Sequence, residues 1–429
     1  MARRLAGALL LVLLPACAPS PSDRQTIRFW VMGREGEVIA QLIPEFERAN
    51  PDIRVRVQQI PWTSAHEKLL TAFAGDSLPD LCQLGNTWLP EFTALRALAP
   101  LDSRVAESRT IAATDYFPGI WATNVVDGRL YGVPWYVDTR LLFYRKDLLA
   151  AAGIDAPPRS WAEWERAMAA LKNARENGKA DGENRAGYAM LLPLNEFEPL
   201  LALALQQDEP LLRDQQSRGA FAGPGFRRAL DFYSRIFRNG WAPAVGGGEI
   251  SNVWTEFGRG RFAFYISGPW NIEEFRRRLL PERQDDWMTA PLPGPGGPGA
   301  STAGGASLVV FRSSRHPEAA WRLVEYLSDP AVQLRFHELT GNLPPRRSAW
   351  RDERLSGDPH AAAFRDQLER VRPAPKIPEW ERIVNEMQLV AEQVVRGRMD
   401  VDQAGRELDR RIDLMLEKRR WMLARGRAS

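Results

Sequence analysis

Two periodicities alternate at the start of this chain, and they restrict its fold more than any other feature. Ile27 to Met32 and Ile53 to Val57 read as strands, the second alternating strictly between apolar and charged residues, while Ile39, Leu42, Ile43 and Phe46 between them recur on one helical face. Asn50-Pro51 stops that helix, because a residue before proline is pushed out of the α region. Strand, helix and strand in so short a span make a βαβ unit with parallel strands. A second unit follows, with a helix over 65–74 and a short buried strand over 80–84. The fold class is therefore α/β, and at 429 residues the chain exceeds a single hydrophobic core, so two lobes are expected.

Further along, Leu141 to Tyr144 is a strand, and Ser160-Trp161 caps a helix that reaches Asn177. The charged, Gly-containing stretch over 172–185 reads as a surface loop. From Gly258 an alternating strand runs into the Gly268-Pro269 turn, which presents Trp270 and Asn271. A flat ring beside an amide suits the CH face of a sugar and its hydroxyls, and the same residues suit a tryptophan closing a core strand. Pro291 to Gly299 is too rich in Pro and Gly for a core element, and Gly304-Gly305 opens a strand over 306–311. A helix over 317–327 is broken by Ser328-Asp329-Pro330. Beyond it the chain is helical, with one apolar stripe at Ile383, Met387, Val390 and Val394 and another at Val401, Ala404, Leu408, Ile412 and Met415. The tail from Lys418 to Arg427 is basic and reads as a solvated helix end or a contact for anionic headgroups.

The N-terminus points to export. Arg3 and Arg4 precede the apolar run Leu5 to Leu14, too short to cross a bilayer and shaped like a secretory signal. Leu14-Pro15-Ala16-Cys17 resembles a lipobox, which implies a signal peptide over 1–16, lipid attachment at Cys17 and a tether over 17–23; an incidental Cys at a cleavage site is the alternative. Removing residues 1–16 takes Arg3 and Arg4 from the 57 basic residues, leaving 55 against 54 acidic ones. That balance implies no general polyanion and no nucleic-acid partner. With Cys17 in the tether, Cys82 has no disulfide partner and reads as a small core residue. His66, His316, His337 and His360 lack metal-ligand spacing, and no nucleotide-binding loop, nucleophile elbow or zinc-protease motif occurs, so no metal, cofactor or catalytic residue is expected.

Ile27-Arg-Phe-Trp30, Asn50-Pro51, Gly75-Asp76, Pro79-Asp80, Tyr131-Gly-Val-Pro134, Tyr144-Arg-Lys-Asp-Leu148, Trp161-Ala-Glu-Trp164, Gly268-Pro-Trp270, Gly304-Gly305 and Gly341-Asn-Leu-Pro344 fall in an order that resembles family 1 extracellular solute-binding proteins, similar to the maltose- and trehalose-binding components of ATP-binding-cassette (ABC) importers. The resemblance implies a two-lobed periplasmic-binding-protein fold, type II-like, whose lobes are joined by crossing hinge segments near 134–138, 287–292 and 327–330. Lobe one would then comprise 24–134 plus 290–328, and lobe two 135–289 plus 330–429. It also implies a sugar ligand, importer permease subunits as partners, membrane association through the lipid, and action as a monomer at the bacterial membrane or in the periplasm.

Ligands of doubly wound sheets bind beyond the carboxyl ends of the strands, which selects the candidate contacts. Glu35 and Glu37 follow the first strand, where they serve either sugar hydroxyls or the charge of a helix N-terminus. Trp62 and His66 follow the second strand, and Asn86 and Trp88 the third. Tyr136 and Asp138 sit in the first crossing; Asp138 matches a sugar-binding carboxylate position of the family, with Arg140 as a possible structural partner. Trp270 matches the family's stacking aromatic, with Asn271 beside it. Trp380 falls at a family aromatic position that lines the cleft. Gly304 and Gly305 would let backbone N–H groups approach the ligand or form a plain turn. Three functions compete: sugar binding without chemistry, binding of another solute such as a glycerol phosphoester, and glycoside hydrolysis by a pair such as Glu35 and Asp138. A phosphoester calls for clustered Arg, whereas these candidates are aromatic and acidic. Hydrolysis calls for two carboxyls about 5–10 Å apart.

Overall fold

The parallel strands expected at the N-terminus form one half of a mixed sheet. The computed structural model describes residues 24–177, 187–250 and 252–426. The expected signal peptide, the tether with Cys17, most of the 172–185 loop and Arg427 lie outside the described residues. Gln25–Met32 pairs in parallel with Ile53–Ile60 on one side and Leu81–Gly85 on the other. Gly305–Val310 then adds antiparallel to Leu81–Gly85, and Val133–Val137 closes the five-stranded sheet. Both faces are covered. Phe29 and Val31 pack with Ile39, Phe46 and Leu323 on one side, while Trp30 and Met32 pack with Leu69 and Leu89 on the other. Each such fully buried large side chain is worth roughly 1.5–3 kcal/mol of transfer free energy. The helix expected across 39–46 is divided into Gly33–Val38, a 3-10 turn over Ile39–Gln41, and Ile43–Ala49, with the four apolar residues still buried.

The second sheet has the order Trp287–Ala290, Leu141–Arg145, Phe262–Ser267, Tyr188–Leu191. All six residues of Phe262–Ser267 are buried. The sequence suggested an alternating strand; a central strand covered on both faces needs no polar face. Leu142, Phe264 and Ile266 meet Trp164, Leu230 and the C-terminal helices, while Leu141, Phe143 and Tyr265 meet Phe275, Trp287 and Phe364. The Trp161–Glu176 helix starts with the expected Ser160 cap, a full capping box with Glu163. The helices Trp380–Val395 and Val401–Met415 turn the stripes read from sequence toward the second core, with Val394, Val401 and Met415 only partly buried at their ends.

The chain passes between the two sheets in three places. Val133–Val137 belongs to the first sheet and Leu141–Arg145 to the second, so the first passage is Asp138–Arg140, at the end of the expected 134–138 segment. The second runs over 291–304. The third is broader than the break at 327–330 suggests: Asp329 caps a new helix, Pro330–Thr340, whose Phe336 joins the first core while Leu334 joins the second. Backbone hydrogen bonds tie the passages together, from Val137 to Leu343 and from Asp138 to Gly304, both at 3.0 Å.

Candidate functional site

Where the passages meet, the two halves enclose a cavity of about 690 Å³. The first half contributes Glu35 from the Gly33–Val38 helix, Trp62, and the 85–88 segment after its third strand. The second contributes Glu198, Trp254, Trp270 and Glu381, and the passages contribute Asp138, Arg140, Gly304 and Asn342. Most of these residues lie just beyond strand ends, where the pleat stops and side chains from several strands converge.

Aromatic rings form much of the wall. Trp62 meets Trp88 edge to face at 5.7 Å. Trp270 begins its helix directly after the Gly268-Pro269 turn, with the Arg140 guanidinium 4.7 Å from its ring centre. The turn requires glycine here, because a Cβ on Gly268 would run into the Trp270 ring.

Acids supply the polar part. Burial pushes the Glu35 carboxyl above its ordinary value, against hydrogen bonds that include one from Asn342 Nδ2 at 2.7 Å. The Tyr136 hydroxyl accepts from Gln83 Nε2 at 2.9 Å and is raised by burial and then by Glu35 and Asp138. Asp138 is raised by burial, with Arg140 opposing and Glu198 adding to the rise. The Arg140 Nε atom lies 3.6 Å from Asp138 Oδ1, too far for a hydrogen bond, and Arg140 instead donates to Glu198 at 2.9 Å. Asp138 Oδ1 and Glu381 Oε1 are thus buried acceptors without a donor. Buried polar atoms are normally paired, so these two oxygens are places where a ligand hydroxyl would complete the structure. Burial likewise raises Glu381, against a hydrogen bond from Thr87 and the nearby charge of His66.

Of the expected contacts, Glu35, Trp62, Asn86, Trp88, Tyr136, Asp138, Trp270, Gly304 and Gly305 border the cavity, and Glu37, His66, Asn271 and Trp380 do not. Glu37 accepts from Gln59 instead. His66 stands behind Trp88 and pairs with Glu91 at 2.6 Å. Asn271 is buried, accepting from Trp254 Nε1 and donating to Ser267, each at 2.7 Å, so it fixes the neighbouring indole. Trp380 is 1 % exposed inside the second core; the adjacent Glu381 takes the wall position, since one residue is a 100° rotation on a helix. Gly304 and Gly305 border the cavity, but a Cβ on either would strike the backbone carbonyl of Asp138 or Tyr136, so their bareness already serves the hinge. Glu198, Trp254, Asn342 and Glu381 escaped the sequence reading. Asn342 lies in the Gly341-Asn-Leu-Pro344 motif, the one signal that pointed near it.

A family model described as bacterial extracellular solute-binding protein matches residues 32–334. The solved structure of the sugar-binding protein MalE from the phytopathogen Xanthomonas citri is 58% identical in sequence, with a TM-score of 0.88 over 93% of this chain and 99% of that one. Among curated proteins, the diacetylchitobiose binding protein DasA of Streptomyces coelicolor is 22% identical over 94% of this chain and 96% of its own. The maltodextrin-binding protein MdxE of Bacillus subtilis is 23% identical over 88% of each.

Proposed function

Because the chain belongs to the bacterial extracellular solute-binding proteins, we propose that it captures a neutral di- or oligosaccharide in the cavity between its halves and delivers it to the permease subunits of an ABC importer, without chemistry of its own. The observation that carries this reading is the pairing of indole rings with buried, unpaired carboxylate oxygens around one cavity. A pyranose offers an apolar CH face to the rings and hydroxyl donors to the acids. The named relatives that bind sugars support the same ligand class. In this reading Trp62, Trp88 and Trp270 supply contact area, while Asp138, Glu35 and Glu381 select among epimers. The protein works outside the cytoplasm, held to the membrane by lipid at Cys17, and Cys17→Ser should release it into the soluble fraction.

Capture requires both halves to touch the ligand. Arg34, from the first half, and Glu274, from the second, face each other across the cavity mouth at 3.6 Å, a contact that opening would break. A ligand that favours only the closed arrangement shifts the population toward it. A melting-temperature screen of residues 24–429 against neutral, acidic and phosphorylated sugars tests the assignment: neutral oligosaccharides should raise the midpoint by mass action. A rise confined to phosphorylated or acidic sugars would sink it.

A further inference from the structure

The helical C-terminus carries a surface that sugar capture does not use. Val401–Met415 and Glu417–Leu423 follow one another almost without interruption. Their inner side buries Leu408, Ile412 and Leu416. Leu414, Lys418, Trp421 and Arg425 recur at steps of four, three and four, which places them on one helical face, and all four are exposed. Leu414 is 62 % and Trp421 48 % accessible, the only large aromatic besides Trp62 so exposed among the described residues. The Arg425 guanidinium lies 4.0 Å from the Trp421 ring centre. Neither Lys418 nor Arg425 is in an ion pair among the described residues.

The rest of this helical end is different. Arg410 and Arg411 are held by Glu407, and Arg420 donates to the carbonyls of Ser217 and Asp413. Arg406 is likewise without an ion pair among the described residues, but only the face of Leu414, Lys418, Trp421 and Arg425 sets such cations around an exposed indole. An indole flanked by Lys and Arg is the chemistry of the bilayer interface, where the ring sits at headgroup level and the cations meet lipid phosphates.

We propose that this face docks the second half of the protein onto an anionic lipid surface, as a reversible contact separate from the anchor expected at Cys17. The charge is complementary to that surface, and the apolar members, Leu414 and Trp421, are too few to bind a neutral one. Such a contact adds a second membrane signal to a tethered protein, and two signals hold where one is marginal. The surface does not border the cavity.

The test uses residues 24–429, which hold every packed element from Gln25 to Leu423 and lack Cys17. Flotation with vesicles of phosphatidylcholine alone or with a third phosphatidylglycerol reads the contact at low salt. Binding should occur only to the anionic vesicles and vanish in 0.5 M salt. Lys418→Glu and Arg425→Glu together should weaken it by about thirtyfold, from about 1 kcal/mol for each cation near the surface. Trp421→Ala should weaken it less, by about fivefold, and all variants should keep the melting temperature and sugar affinity of the parent. Absence of flotation at low salt would overturn the proposal, as would equal binding to neutral vesicles or an unaffected double variant. Retention by heparin without vesicle binding would also overturn it and point to a soluble polyanion. None of these results bears on sugar binding, which is read separately by titration.

Discussion

Three buried carboxylates of the cavity, Glu35, Asp138 and Glu381, and two on the outer surface, Glu407 and Asp352, are treated in opposite ways. Hydrogen bonds from Arg410 and Arg411 hold Glu407 down to about 2, and those from the Arg354 side chain and backbone hold Asp352 at a similar value. Glu35, Asp138 and Glu381 are instead raised by burial, and two of them keep an oxygen with no donor. An acid that finds its partners within the chain is structural and settled. An acid buried without them costs stability in the empty protein, and the missing donors describe what should arrive.

Four measurements can break this contrast or sharpen it. The largest effect is expected from Trp270→Ala, which removes the ring beside Arg140 and should weaken sugar binding by about thirtyfold or more, in line with aromatic hot spots at about 2 kcal/mol. Titration calorimetry at wild-type affinity would return Trp270 to a packing role. Asp138→Asn keeps the shape and loses the charge, for about 1.5 kcal/mol of affinity and poorer discrimination among epimers. If Glu407→Gln weakened the sugar as much, the contrast between the two regions would be void. Gly268→Ala keeps the identity of every cavity residue but forces the Trp270 ring aside, so a loss of about tenfold is expected with a drop of a few degrees in melting temperature; unchanged affinity would mean the ring position is immaterial.

The smallest effect is on pH dependence. The cavity acids are raised in the fold, so their contribution to stability is present below the ordinary carboxylate range and is lost as pH rises through their raised values. For Glu407 and Asp352 the sign reverses: their contribution is present above the ordinary range and fades as pH falls toward about 2. Sugar affinity, which needs ionised acceptors, should therefore fall a few-fold from pH 7 to pH 5 while the melting temperature of the empty protein holds or rises. Affinity that stays level across that window would show that the cavity acids bind sugar equally well when protonated.

The legible parts of the sequence were those with a local cause. Ser160 before Trp161 announced a helix start, and the Val401 to Met415 stripe announced a buried face. The antiparallel insertion of Gly305–Val310 beside Leu81–Gly85 had no such mark, since it depends on segments some 220 residues apart; family resemblance placed 290–328 in lobe one without giving its direction or its neighbours. Within the site, residues just past strands were found because the sheet aims them. Glu198 and Glu381 were missed because they sit in the first turns of helices, where phase decides between core and cavity. Asn271 was misjudged for a similar reason, being aimed inward at Trp254 and Ser267.

The strand Gly305–Val310 lies between Leu81–Gly85 and Val133–Val137 in the first sheet, yet the chain reaches it only after building the whole second sheet. The first 137 residues cannot close their own sheet. Until residue 310 has emerged, Leu81–Gly85 and Val133–Val137 lack the neighbour that joins them, and the loop that must close spans both halves of the molecule. Pairings so distant along the chain slow folding. For a chain of an extracellular family, this delay suits export in the unfolded state: the order of its strands keeps the first sheet open until nearly three quarters of the sequence has followed.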